Sequence, residues 1–177
     1  MIEPVAPTIR VTGGWWRLGR PRADPLSWTP EPAEGRWQRG EVVRALYLAD
    51  SEETCWAEWY RHSAELGVPP QTRMPRALWR LEVDLPDVAD LTGDDTLAGH
   101  GIATLLPSRR QWAETQQIGE AYWRAGRRAV LAPSAARVGG RVLAVFRSAA
   151  GTIEGLSPIR PSRRYSELPP LPTGLRT

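Results

Sequence analysis

The stretch VVRALYLADSEETCWAEWYRHSAEL, residues 42–66, holds the pattern from which the rest of the chain is placed. Its first eight residues, VVRALYLA, are an apolar run of strand length. The remainder, DSEETCWAEWYRHSAEL, opens with Asp50-x-x-Glu53 in the spacing of a capping box and carries Cys55, Trp59, His62 and Leu66 at helical intervals. The stretch predicts a strand that runs directly into a helix.

One residue in that helix needs an account. Glu58 stands among Cys55, Trp56, Ala57, Trp59 and Tyr60, and a carboxylate buried in such company is costly unless it is paired. Either Glu58 is held there by a partner for a functional reason, or it faces solvent on the side of the helix shared with Arg61. Eleven residues before it lies Tyr47, and eleven before that Arg36. On its own Tyr47 reads as a core aromatic with its hydroxyl at the rim. Arg36, after a glycine in a loop, reads either as a solvated surface arginine or as the guanidinium fork that a pyrophosphate requires.

Outward from this unit, residues 1–14 read as a loose lead-in, GWWRLGR as a short first strand, and 21–40 as a long loop punctuated by Pro, Ser and Gly. A connection of that length is often functional. RALWRLEVDLPDVADL alternates polar residues with Trp79, Leu81, Val83 and Leu85, which predicts a half-buried strand ended by Pro86. SRRQWAETQQIGEAYWRAG predicts a helix capped by Ser108 and stopped by Gly126, with Trp112, Gly119 and Trp123 toward the core. RAVLAPSA and RVLAVF read as two strands around a turn with Gly139 and Gly140. The proline-rich residues 156–177 read as an extended or disordered tail, unable to sustain ladders. The expectation is an α+β domain over residues 15–155, a curved and mostly antiparallel sheet flanked by helices.

Composition narrows the function classes. With 177 residues, 41% hydrophobic and 24% charged, the chain has room for one ordinary globular core. Its net charge of +3 is small and its arginine pairs at 109–110, 127–128 and 163–164 form no stripe, so direct nucleic-acid binding is not expected. Cys55 is the sole cysteine and His62 and His100 the only histidines, which leaves no basis for a thiolate metal cluster and little for zinc. No basic-then-apolar leader and no run of about 20 apolar residues is present, so a cytoplasmic protein without a membrane span is expected. Ser134 in LAPSA, like Ser108 and Ser157, has no Ser-His-Asp arrangement around it and reads as a turn or cap serine. Trp79, Trp112 and Trp123 read as packing, whereas Trp15, Trp16 and Trp37 flank arginines and are candidates to line a cleft.

The order WWRLGR, then GRW before ALYLA, then the glutamate-bearing helix, then TQQIGEAYWRAGRRAVLAPSA, resembles the RES domain family, the toxin component of RES–Xre toxin–antitoxin pairs. The likeness spans about Trp15 to Phe146. It implies an ADP-ribosyltransferase-like fold and cleavage of NAD at the nicotinamide–ribose bond, as an NAD glycohydrolase or an NAD phosphorylase. It further implies NAD as substrate with no resident cofactor, and a cognate Xre-like antitoxin as partner. Carried over residue by residue, its arginine falls on Arg36, its tyrosine on Tyr47, its glutamate on Glu58 and its serine on Ser134, with Arg17 as the first-strand arginine. Glu58 would stabilise an oxocarbenium-like ribose, Tyr47 would pack on nicotinamide or ribose, and Ser134 would bond the same end of the ligand. Arg36 and Arg17 would clamp the pyrophosphate, with Trp37 lining the cleft. Gln38 stands where the family commonly has Asn, and RVLAVFRSAAGTIEG replaces an Asn-Pro-x-His-like segment. Two other readings keep the pocket: ADP-ribosyl transfer to a macromolecule, which would want a second acid where Trp56 stands, or a catalytically silent NAD-binding module.

Overall fold

The computed structural model describes residues 5–27, 34–106, 108–147 and 153–176. In chain order the elements are β1 (Thr8–Gly19), β2 (Ala45–Ala49), α1 (Glu52–Glu65), β3 (Arg76–Asp90), α2 (Asp94–Gly99), α3 (Trp112–Arg124), β4 (Ala129–Pro133), β5 (Arg141–Phe146) and β6 (Leu156–Tyr165). Short 3₁₀ turns at Pro70–Arg73 and Arg109–Gln111 precede β3 and α3.

The fold is α+β, a mixed sheet closed into a barrel. Strands pair in the order β1-β2-β5-β4-β3, and β3 pairs back to β1 to complete the ring. All pairings are antiparallel except β3 with β4. The long β3 serves two partners on one edge, β6 along Arg76–Val83 and β4 along Val88–Asp90. The weakest seam is β1–β2, where only Trp16 and Ala49 are in register.

Alternation decides which face each strand residue covers. Leu46 and Leu48 of β2, Leu143 and Val145 of β5, and Trp79, Leu81, Val83 and Leu85 of β3 fill the barrel interior with Trp15. The opposite faces of the same strands, including Ala144 and Val130, pack with Ile118 and Tyr122 of α3, and Tyr47 of β2 lies against that outer core. Both faces of β2 are therefore covered, which is why its sequence is apolar without a break.

The strand-to-helix reading of 42–66 holds, with the cap shifted by one residue: Ser51 accepts from the Thr54 amide at 3.1 Å, and Glu52 and Glu53 occupy the positive first turn. Other boundaries differ. The lead-in is ordered from Thr8, because β1 pairs with β3 as far as Ala89. Pro86 does not end β3. It sits in a bulge where three steps of β3 oppose two of β1 and Asp87 takes φ 55°, between the last β6 partner and the first β4 partner, so no ladder bond is asked of it. Nor is the proline-rich segment a free tail: Leu156–Tyr165 is strand β6 on the edge of β3, with Pro158 opposite Leu81 and Pro161 inside a register shift. An edge strand tolerates residues without an N–H on its open side. The short α2 carried no sequence signal strong enough to predict it.

Candidate functional site

The carboxylate, the tyrosine and the Gly35–Gln38 turn meet at one end of the barrel. Gly35 and Gln38 bond each other's main chain, N–H to carbonyl at 3.1 and 3.3 Å, so Arg36 and Trp37 form the tip of a tight turn. The turn rests on β2. Tyr47 Oη accepts from the Trp37 amide at 2.9 Å, and a Cβ on Gly35 would lie 2.7 Å from that hydroxyl, so only glycine fits. Gln38 Oε1 accepts from the Ala45 amide at 2.6 Å and fixes the other side. Burial raises the Tyr47 hydroxyl well above the usual phenol range, so it stays protonated.

Trp37 is not in a cleft. Its side chain is 1% exposed in the core beside α3, and Gly119 is the residue that lets α3 approach, since a Cβ there would overlap the Trp37 carbonyl. A ligand has no access to this indole. Trp15, inside the barrel at 5% exposure, is likewise closed off.

Arg36 is 6% exposed. Its Nη2 donates to the Leu106 carbonyl at 2.6 Å, while its Nη1 is buried without a hydrogen-bond partner among the described residues. Desolvation lowers its pKa, Arg61 pushes the same way, and Glu58 and Glu65 oppose them. A buried guanidinium nitrogen left unpaired is costly, and an anionic ligand would satisfy it.

Glu58 is paired rather than solvated. Oε1 accepts from Ser134 Oγ at 2.7 Å, Oε2 ion-pairs with Arg61 at 3.0 Å, and the side chain keeps 23% exposure. Arg61 also bridges to Glu65, which makes α1 present an alternating Glu58, Arg61, Glu65 row. The sequence offered Arg61 as the partner of Glu58 on a solvent face; the structure gives that pair 12% exposure at the arginine and adds Ser134 from the loop after β4, 76 residues away.

Ser134, at 1% exposure just after β4, has its bonding fully assigned. Its oxygen accepts from the amides of Ala136 at 3.1 Å and Arg137 at 3.0 Å, so its one hydrogen goes to Glu58. With both lone pairs occupied, Ser134 Oγ is tied to its own loop and orients the Glu58 carboxylate. The loop is seated by Gly140, where a Cβ would come within 2.5 Å of Thr54 Oγ1, and by Arg137, which donates to that oxygen at 3.3 Å.

Arg17 lies behind this group. Its Nη1 donates to the Tyr47 carbonyl at 3.2 Å, and enclosure of the guanidinium lowers its pKa to about 10, leaving it charged at neutral pH. It makes no ion pair among the described residues. The neighbouring Cys55 thiol is pushed up to about 12 by burial and is inert.

The RES domain matches residues 14–166. A Mycobacterium tuberculosis protein named "Probable NAD(+) phosphorylase Rv3189" is 33% identical over 167 residues, 93% of this chain and 76% of that one. "NAD(+) phosphorylase MbcT" of Mycobacterium bovis is 32% identical over 108 residues, 59% of this chain and 58% of its own length. The crystal structure of the M. tuberculosis MbcT–MbcA toxin–antitoxin complex superposes with a TM-score of 0.72 at 27% identity, covering 90% of this chain and 87% of that one. The chain belongs to the RES domain family.

Proposed function

We propose that the protein is a toxin enzyme that cleaves the nicotinamide–ribose bond of NAD and passes the ADP-ribosyl group to inorganic phosphate. The observation that carries this is a partly exposed carboxylate, Glu58, fixed by Ser134 and Arg61 in the electrostatic field of a buried arginine, Arg36, with an unpaired nitrogen. Two relatives named as NAD(+) phosphorylases favour phosphate over water as acceptor.

In the reaction the C1′–N bond breaks and its electron pair neutralises the pyridinium nitrogen, so nicotinamide leaves without a general acid. Positive charge develops on the ribose, and the Glu58 carboxylate, ion-paired to Arg61, stabilises it. A phosphate oxygen then bonds to the anomeric carbon. Arg36 binds an anionic oxygen through its free Nη1, and Tyr47 acts by carrying the turn that presents Arg36. In this reading the curved sheet beside Glu58 is an ADP-ribosyltransferase-like NAD cleft, NAD is substrate rather than cofactor, and the cellular compartment is the cytoplasm, where NAD is plentiful. The structural neighbour is a toxin–antitoxin complex, which supports a cognate antitoxin as partner; in this reading that antitoxin is Xre-like. Among the described residues no helix is long and apolar enough to cross a membrane.

The test measures nicotinamide release from NAD with and without phosphate. Glu58→Gln keeps the shape and removes the charge, and is expected to lower kcat about 10²-fold or more. A wild type that leaves NAD intact in the presence of phosphate would refute the proposal, and release independent of phosphate would make the enzyme a glycohydrolase.

A further inference from the structure

The C-terminal segment after β6 reads from its prolines as a loose tail, and the RES domain match ends at residue 166. The structure nevertheless fastens this segment beside the site at four points. Tyr60 Oη on α1 donates to the Pro169 carbonyl at 2.8 Å, and Arg137 Nε to the Thr173 carbonyl at 3.1 Å. The Val138 amide donates to the Gly174 carbonyl at 2.9 Å, and the Arg176 amide to the Ala136 carbonyl at 2.8 Å. Two of these anchors, Ala136 and Arg137, are the residues whose amides hold Ser134 Oγ.

Between this segment, α1 and the turn before α3 opens a cavity of ≈ 610 Å³. That volume suits a nucleotide-sized ligand. Its lining has two characters. Val68, Leu171 and Leu175 offer apolar surface, and Arg61, Arg109 and Arg176 bring three guanidinium groups against the single carboxylate of Glu65. Arg61 is already matched by Glu58 and Glu65, and Glu65 also feels Arg109, so Arg109 and Arg176 leave the lining with an excess of positive charge. Neither makes an ion pair among the described residues; Arg109 stacks over Trp112 at 4.8 Å. Because Arg61 both lines the cavity and pairs with Glu58, the cavity begins one side chain away from the reacting carboxylate.

We propose that residues 169–176 form a wall of the substrate cleft and that Arg176, together with Arg109, binds the phosphate groups of the ligand there, the apolar lining taking its purine ring. The inference rests on the reading of Glu58 as the NAD-cleaving carboxylate. The ligand chemistry is a phosphate group, from the dinucleotide or from inorganic phosphate.

Steady-state kinetics of Arg176→Gln, Arg176→Lys and Arg109→Gln test it. Arg176→Gln keeps the main-chain bond to Ala136, so its melting temperature should match the wild type. Its KM for NAD should rise on the order of tenfold or more while kcat falls less than threefold, with Arg176→Lys partly restored. A rise in the KM for inorganic phosphate instead would assign the pair to the acceptor. Unchanged KM values for both, in both Gln variants, would overturn the inference while leaving NAD cleavage intact. Calorimetry with ADP reads the pocket without turnover: wild-type binding weakened about tenfold in Arg176→Gln supports it even if NAD is not cleaved, and equal binding or none overturns it.

Discussion

Replacing Ser134 by alanine separates the positioning role from a nucleophilic one, because the two make opposite demands on stability. The hydroxyl is the acceptor for two main-chain amides and the donor to Glu58, all within 3.1 Å and almost wholly out of solvent. Its removal strands the Ala136 and Arg137 N–H groups, at about 1–3 kcal/mol for each. Glu58 loses one of its two partners but keeps Arg61. The sum, about 2–6 kcal/mol, is a large share of the roughly 5–15 kcal/mol that holds a domain folded. At about 2–4 °C per kcal/mol for a chain of this size, the melting temperature should fall by about 4–24 °C.

Activity should fall less than for a lost nucleophile. A carboxylate freed on one side drifts toward Arg61, and a loss of about 1.4–2.8 kcal/mol in transition-state stabilisation lowers kcat by about 10- to 100-fold. The assay pairs thermal melting with nicotinamide release for Ser134→Ala, Glu58→Gln and the double variant. The two substitutions act on one interaction, so the double variant should be little worse than Glu58→Gln alone. An unchanged melting temperature with abolished activity, or an ADP-ribosyl adduct on Ser134 by mass spectrometry, would refute the reasoning.

Gly119→Ala should destabilise by about 1–3 kcal/mol or more, because the added methyl meets the Trp37 main chain, 2.9 Å from its carbonyl carbon, and neither backbone yields easily. A melting temperature equal to wild type would show that α3 does not press on the turn. Burial also holds the His100 imidazole below its ordinary 6.5, with Nε2 2.8 Å from Tyr122 Oη. A ring less basic when folded takes up fewer protons than the unfolded chain, so its contribution is complete above about pH 6.5 and declines as pH falls below it. Thermal melts between about pH 7.5 and 5.5 should show that decline, with a flatter slope in His100→Gln; equal slopes would assign the effect elsewhere.

What the sequence disclosed was the part of the site written locally. β2, α1 and the turn before them occupy one continuous stretch, and their periodicity and glycines are visible without neighbours. Arg36, Tyr47 and Glu58 stand out at even spacing in that stretch, and the resemblance to the RES domain family implied that they form one site. What it hid depended on partners distant in the chain. Pro86 and the prolines of β6 look like breakers until the bulge and the open edge show that no hydrogen is required of them. Trp37 looks like a cleft residue because it adjoins Arg36, yet tip residues of a tight turn point to different sides, and α3 covers one of them. The purpose of Ser134 was invisible because the amides that fill its lone pairs belong to its own loop and the acceptor of its proton to another element. Gly119 did carry a signal, a glycine inside an otherwise good helix, which marks a close approach.

Arg17 shows how the barrel itself sets the site. At the β1–β2 seam the ladder is reduced to the one pair of Trp16 and Ala49, so β2 is gripped along its full length only by β5. The Arg17 guanidinium reaches across this gap to the Tyr47 carbonyl and supplies the bond that a ladder neighbour would have given. Tyr47 is the same residue whose hydroxyl carries the Arg36 turn, and α1, with Glu58, begins three residues after β2 ends. A shift of β2 along this seam would therefore move the arginine turn and the carboxylate helix together, away from Ser134, which is anchored to β4. The first-strand arginine, expected to clamp pyrophosphate, thus has a bond in place that ties β2, and with it the Arg36 turn and the Glu58 helix, to β1.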